Sequence, residues 1–116
     1  MKLSGAVTAL VGDYRHEPGA NLIDFSRTNT YRQFVEAAEQ AGFTGPDMEM
    51  DSEFSDRSTE WVEKTDDAAL QRWVHTIIRC DRSNSDHPTA IRDACSGGHL
   101  TVVVRRLGME EAKPAQ

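Results

Sequence analysis

Long apolar runs are missing from this chain of 116 residues, whose longest uninterrupted β-branched apolar stretch is Val102-Val103-Val104. A bilayer span needs roughly 18 to 20 apolar residues, so no membrane partner is expected. The apolar stretch near the amino terminus is broken by Gly12 and Asp13, short of a signal-peptide core with its cleavage site. A cytoplasmic protein is the expectation. Cysteine is scarce, with Cys80 and Cys95 alone, which excludes a disulfide scaffold; in a reducing compartment both read as small buried hydrophobes. There is no Cys-x-x-Cys pair and no His-Glu-x-x-His, so His75, Cys80, His87, Cys95 and His99 are competent ligands without a metal-site pattern, and no metal is expected. No cofactor is expected either, because Gly97-Gly98 lacks the lysine and preceding strand of a phosphate-cradling loop. Internal repeats are absent.

What is present is an ordinary globular composition with one charge asymmetry. Hydrophobic residues make up 38% and charged residues 28%, and 13 basic against 19 acidic side chains leave a net charge of −6. That balance is too mixed for a disordered polyelectrolyte and too acidic for a general nucleic-acid binder. The length allows one domain with one core, expected over residues 1–109 with a frayed tail at 110–116.

The apolar residues recur at helical spacing. Leu3, Val7, Leu10, Val11 and Tyr14 predict a first helix in spite of Gly5 and Gly12. Residues 15–29 hold turn formers around Leu22, Ile23 and Phe25, and read as a connection with a loop or brief strand. Thr30-Tyr31-Arg32-Gln33 has the pattern of a capping box opening a helix over about 31–41, which Gly42-Phe43 ends. Phe54, Ser58, Trp61, Val62 and Thr65 keep the period for a helix over 51–65, and Thr65 or Asp66 caps the next, 66–82. Leu70, Trp73, Val74, Ile77 and Ile78 make that one the central helix. Asp86-His87-Pro88 restarts a short helix that Gly97-Gly98 ends. Over 101–104 the four β-branched residues favour strand while Leu100, Val103, Val104 and Leu107 keep a helical period; helix is the choice. The fold class is all-α, a single domain of five or six short helices.

Three constellations stand out. From Asp47 to Asp67 there are nine acids against Arg57 and Lys64, a local charge of −7 while the rest of the chain sums to +1. Asp47, Glu49, Asp51, Glu53, Asp56, Glu60 and Glu63 are the candidate acidic surface, whose field reaches about 8 to 10 Å and steers toward basic partners. Arg72, His75, Arg79 and Arg82 fall within about 80° of one another on the face opposite Leu70, Val74 and Ile77, a basic stripe. Arg105 and Arg106 join it as an alternative binding set for phosphates or acidic side chains. Asp81 lies in the centre of the apolar face at the negative helix end and needs a partner, for which Arg105 or Arg106 is expected. Trp61 and Trp73 sit on apolar faces and read as core.

From Tyr31 onward the order of features resembles a family of small bacterial and phage proteins catalogued as a domain of unknown function. The resemblance rests on Phe34-Val35-Glu36-Ala37, Gly42-Phe43 and Pro46-Asp47, on Trp61, Asp67 and Leu70, and chiefly on Thr76-Ile77-Ile78-Arg79-Cys80-Asp81-Arg82. Ala90, Ala94, Gly97 or Gly98, and Val104-Arg105-Arg106-Leu107 continue it. Where the family follows its second arginine with an aromatic and then a glycine, this chain has Ser83 and Asp86-His87. The resemblance implies a helical fold and no activity.

The function these features favour is a non-enzymatic protein-binding module, without catalytic residues. Its sharper form is a phage or mobile-element inhibitor of a bacterial defence complex, setting the acids of 47–67 against a basic, nucleic-acid-binding surface. The alternative is a nucleic-acid-binding accessory domain acting through the basic residues. A small hydrolase or transferase comes third, and needs a pocket that gathers His75, His87 or His99 beside an acid.

Overall fold

The computed structural model describes residues 2–19 and 21–111. Seven α-helices follow one another: α1 (Leu3–His16), α2 (Leu22–Ser26), α3 (Asn29–Gln40), α4 (Thr59–Lys64), α5 (Asp67–Ser83), α6 (Ala90–Ser96) and α7 (His99–Glu111). A 3₁₀ turn, Phe54–Asp56, precedes α4, and no strand occurs among the described residues. α1 packs between α3 and α7; α7 also carries α4 and α6; α5 joins α6, α3 and the 3₁₀ turn. The single all-α domain expected from the periodicity is the one observed, with seven α-helices in place of five or six because Leu22–Ser26 forms a helix of its own. Its radius of gyration is 13.4 Å, the value that a compact chain of this length has. No described helix is long and apolar enough to cross a membrane.

The elements follow local chemistry, with four departures from expectation. The knot Leu22–Phe25 is a helix rather than a loop or strand, because Asn21 Oδ1 accepts from the amides of Ile23 and Asp24 and Phe25 drops into the core. α3 starts two residues early: Thr28 Oγ1 accepts from the Tyr31 amide, and Thr30 donates instead to Asp13 on α1 at 2.6 Å. Its end is as predicted, with Gly42 at φ 79° and the Phe43 amide returning to Ala38 O at 2.8 Å. The expected helix over 51–65 is broken at Arg57, whose extended backbone lets Ser58 cap α4 through the Trp61 amide.

The fourth departure is at α6, where neither Asp86 nor Thr89 provides a side-chain cap; the acceptor for the Ala90 amide is Asp81 on α5. For α7 the helical period prevails over β propensity. Leu100, Val102, Val103 and Leu107 are all buried, and burial against three helices outweighs a preference of tenths of a kcal/mol per residue. α7 runs to Glu111, two residues into the stretch expected to fray; the rest of that stretch, 112–116, lies outside the described residues.

Candidate functional site

The acidic segment divides into carboxylates that hold the fold and carboxylates that do not. Asp51 is the most committed. Its Oδ1 accepts from the Glu53 amide at 3.0 Å, Arg57 grips both oxygens at 3.1 and 3.2 Å, and its own amide donates to Thr76 Oγ1 on α5 at 2.7 Å. Glu53 shares Arg57, Glu60 pairs with Lys64, Asp66 caps α5 and Asp67 pairs with Arg106. The four others, Asp47, Glu49, Asp56 and Glu63, are exposed and have no ion partner among the described residues. The segment is therefore less negative in effect than its composition, and it is not one continuous helix face. Residues 44–51 lie along α5, whereas α4 leans on α7.

Burial alone would raise the Asp51 pKa, but the Arg57 and Glu53 hydrogen bonds, with the charges of Arg57 and Arg72, outweigh it and hold the carboxyl below its usual 3.8. A depressed carboxyl contributes stability that is present above the unfolded value and lost as pH falls through the folded one. Unfolding free energy should therefore decline below about pH 4 in the wild type and less so in Asp51→Asn. Denaturant curves at stepped pH check this, and identical slopes would refute it.

The basic stripe is interrupted. The loop that follows α3 lies on that face of α5, so that Thr44 Oγ1 meets His75 Nδ1 at 2.6 Å and His75 is only 2% exposed. Burial first, then the Arg79 and Arg82 charges, push the His75 pKa down, against a hydrogen bond to the Met48 backbone. His75 is thus a neutral interior ring rather than a surface cation. Arg106 is withdrawn as well, with Nη1 on Val62 O at 3.0 Å and Nη2 on Asp67 Oδ1 at 2.8 Å. Arg79, Arg82 and Arg105 remain exposed, and Arg72 is half-buried.

Asp81 does not meet Arg105 or Arg106. The Tyr31 hydroxyl donates to Oδ2 at 2.5 Å and the Ala90 amide to Oδ1 at 2.8 Å, so one carboxylate ties α5 to α3 and to the start of α6. With Thr76 on the Asp51 amide and Arg82 on Glu39, three polar residues of Thr76–Arg82 reach other parts of the chain, Asp81 and Arg82 both meeting α3. Arg79 is the exception.

The histidines and cysteines do not converge on a metal site: among the described residues, no group of three or more histidine, cysteine or acidic side chains could hold an ion. A shallow groove of about 410 Å3 between the 3₁₀ turn and α5–α6 does bring Cys80, Asp81, His87 and Asp93 to one wall, beside a smaller pocket of about 110 Å3 floored by Trp73 and His99. The chemistry is muted. Both Asp81 oxygens are engaged, burial raises the Cys80 thiol with help from Asp81, and the same causes push Cys95 up to about 12. His99 Nε2 donates to Arg57 O at 2.6 Å while its ring stacks on Trp73. Trp73 is 2% exposed, with its indole N–H on Phe54 O, and Trp61 lies under the Arg57 guanidinium at 4.3 Å, so both tryptophans are structural.

Arg57 is the residue that sequence reasoning undervalued. It organises Asp51, Glu53, Trp61 and His99, and only the i, i+4 spacings to Glu53 and Trp61 signal any of this. Tyr31 and Thr44 carry no local signal for their partners 50 and 31 residues away. No protein-family model matches the chain, and neither a curated protein nor a solved structure matches it.

Proposed function

We propose that this protein is a non-enzymatic, cytoplasmic binding module that sets the carboxylates of 47–63 against a basic surface of a partner protein. The observation that carries this reading is the division of the acids: Asp47, Glu49, Asp56 and Glu63 stay exposed and outside any ion pair among the described residues, Asp56 acting on Arg57 through its charge alone, while their neighbours are used internally. Met50 supports a protein partner. It stands 49% exposed between Glu49 and Asp51 and is the exposed large hydrophobic of the described residues. A flexible thioether ringed by charge suits an apolar anchor inside a polar rim. The sharper form of the proposal is an inhibitor of phage or mobile-element origin that occupies the nucleic-acid cleft of a bacterial defence complex.

The test is affinity capture from bacterial lysate with the wild type and with Asp47→Asn, Glu49→Gln, Asp56→Asn and Glu63→Gln combined. These positions leave Asp51 and Arg57 intact, so unfolding should move by no more than about 0.5 kcal/mol per site. Specific partners should bind the variant about tenfold more weakly or worse, and should leave the wild type as salt is raised. Recovery of the same proteins by both baits overturns the proposal.

A further inference from the structure

A notch of about 340 Å3 opens between the loop that follows α3 and the last turns of α5, walled by Glu39, Thr44, Gly45, Pro46, Arg79 and Arg82. Two guanidiniums three residues apart on one helix reach the same side of it. Arg79 is exposed and makes no hydrogen bond or ion pair among the described residues. Arg82 donates to Glu39 Oε1 at 2.9 Å, but the two side chains are 53% and 50% exposed, a solvated pair that a stronger anion can displace. Both arginines act electrostatically on the buried His75, which places them about the seam that Thr44 closes from the loop side. Charge and shape thus converge where neither the acidic surface nor the core has use for them.

We propose that this notch binds a single phosphate monoester, with the forks of Arg79 and Arg82 on its oxygens and Glu39 released. Planar guanidiniums match phosphate oxygens in paired hydrogen bonds, and a dianion has the charge to replace the Glu39 carboxylate. A nucleic-acid backbone fits less well. It needs cations in a track, whereas His75 is buried, Arg72 lies toward Asp51, and Arg106 is held by Val62 O and Asp67. None of its walling residues is one of the four exposed acids, so different variants test it and the partner reading above.

Amide NMR titrations of the full chain test it, using inorganic phosphate, O-phosphoserine, a nucleoside monophosphate and a short single-stranded oligonucleotide. Saturable shifts confined to the amides of Glu39, Thr44, Gly45 and residues 79–82 are expected with the monoesters. Tighter binding of phosphoserine identifies a phosphorylated side chain as the source, and tighter binding of the nucleotide a small metabolite; either supports the notch. Arg79→Gln should weaken binding about tenfold, while Glu39→Gln, an exposed change that leaves the fold alone, should tighten it about threefold by releasing Arg82. An Arg79→Gln affinity equal to wild type, a weaker Glu39→Gln, shifts that never saturate, or an oligonucleotide that binds more tightly than the monoesters and also perturbs Arg72 and Arg105 would each overturn the proposal.

Discussion

Trp73→Ala is expected to destabilise the protein by about 3 to 5 kcal/mol, the range for removing a large buried aromatic from a core that closes only partly. Trp73 is 2% exposed, is stacked on His99 with ring centroids 5.8 Å apart, and donates its indole N–H to Phe54 O at 3.2 Å. Each contact serves a different neighbour: the stack holds the start of α7, and the hydrogen bond holds the 3₁₀ turn at the middle of the acidic segment. Trp73→Phe separates them. It keeps most of the apolar surface and loses the bond to Phe54, for about 1 kcal/mol. Urea unfolding followed by circular dichroism measures both, since the helical signal does not depend on the indole that is removed. Hydrogen exchange at residues 54–57 should quicken in Trp73→Phe with little change elsewhere. A Trp73→Ala protein within about 1 kcal/mol of wild type would mean that the core refills and that this account of it is wrong.

Asp81→Ala is expected to cost about 2 to 4 kcal/mol. The carboxylate accepts from the Tyr31 hydroxyl and from the Ala90 amide, and hydrogen bonds to a charged acceptor contribute about 1.5 to 3 kcal/mol each, less the relief of no longer burying the charge. Asp81→Asn keeps an acceptor for Ala90 and should recover part of the loss. A double-mutant cycle with Tyr31→Phe isolates the bond between α3 and α5, and a coupling near zero would show that the contact contributes nothing. The pH dependence is opposite in sign to that of Asp51. Burial raises the Asp81 pKa, the Asp93 charge adds to it, and the Tyr31 hydroxyl and the amides of Ala90 and Ile91 oppose it; the net direction is up. The folded chain therefore holds this proton more tightly than the unfolded chain. The associated stability is full below the unfolded value of 3.8 and is lost as pH rises through the folded pKa. Asp81→Asn should remove this pH dependence, leaving the Asp51 dependence in place.

These two side chains mark where sequence reasoning stops. That Asp81 needs a partner is legible from its place on the apolar face and at the helix end. Which partner is not, because Tyr31 lies 50 residues away and an arginine nine residues after Gly97 is an equally sound local choice until the helices are placed. The same holds for His75. Its helical angle puts it among Arg72, Arg79 and Arg82, and only the path of the loop across that face turns it into a buried ring on Thr44. In the acidic segment, composition reveals nine carboxylates, whereas the division between used and unused acids depends on where Arg57 and Arg106 reach.

What the sequence alone determined was the set of helices whose signals are local: the apolar period of Leu70–Ile78, a cap at Thr65 or Asp66 that the structure assigns to Asp66, the glycine stop at Gly42, and the first helix through Leu3, Val7 and Leu10. Such signals act within one or two turns, where chain geometry alone decides which groups meet. The tertiary structure decided the break at Arg57, the cap of α6 by a residue of α5, the choice of helix at Val102–Val104, and the sorting of charges into braces and exposed groups. Each of these is a competition between a local preference of tenths of a kcal/mol and a contact between distant residues that also satisfies a buried polar group or fills a core, and the distant contact is the larger.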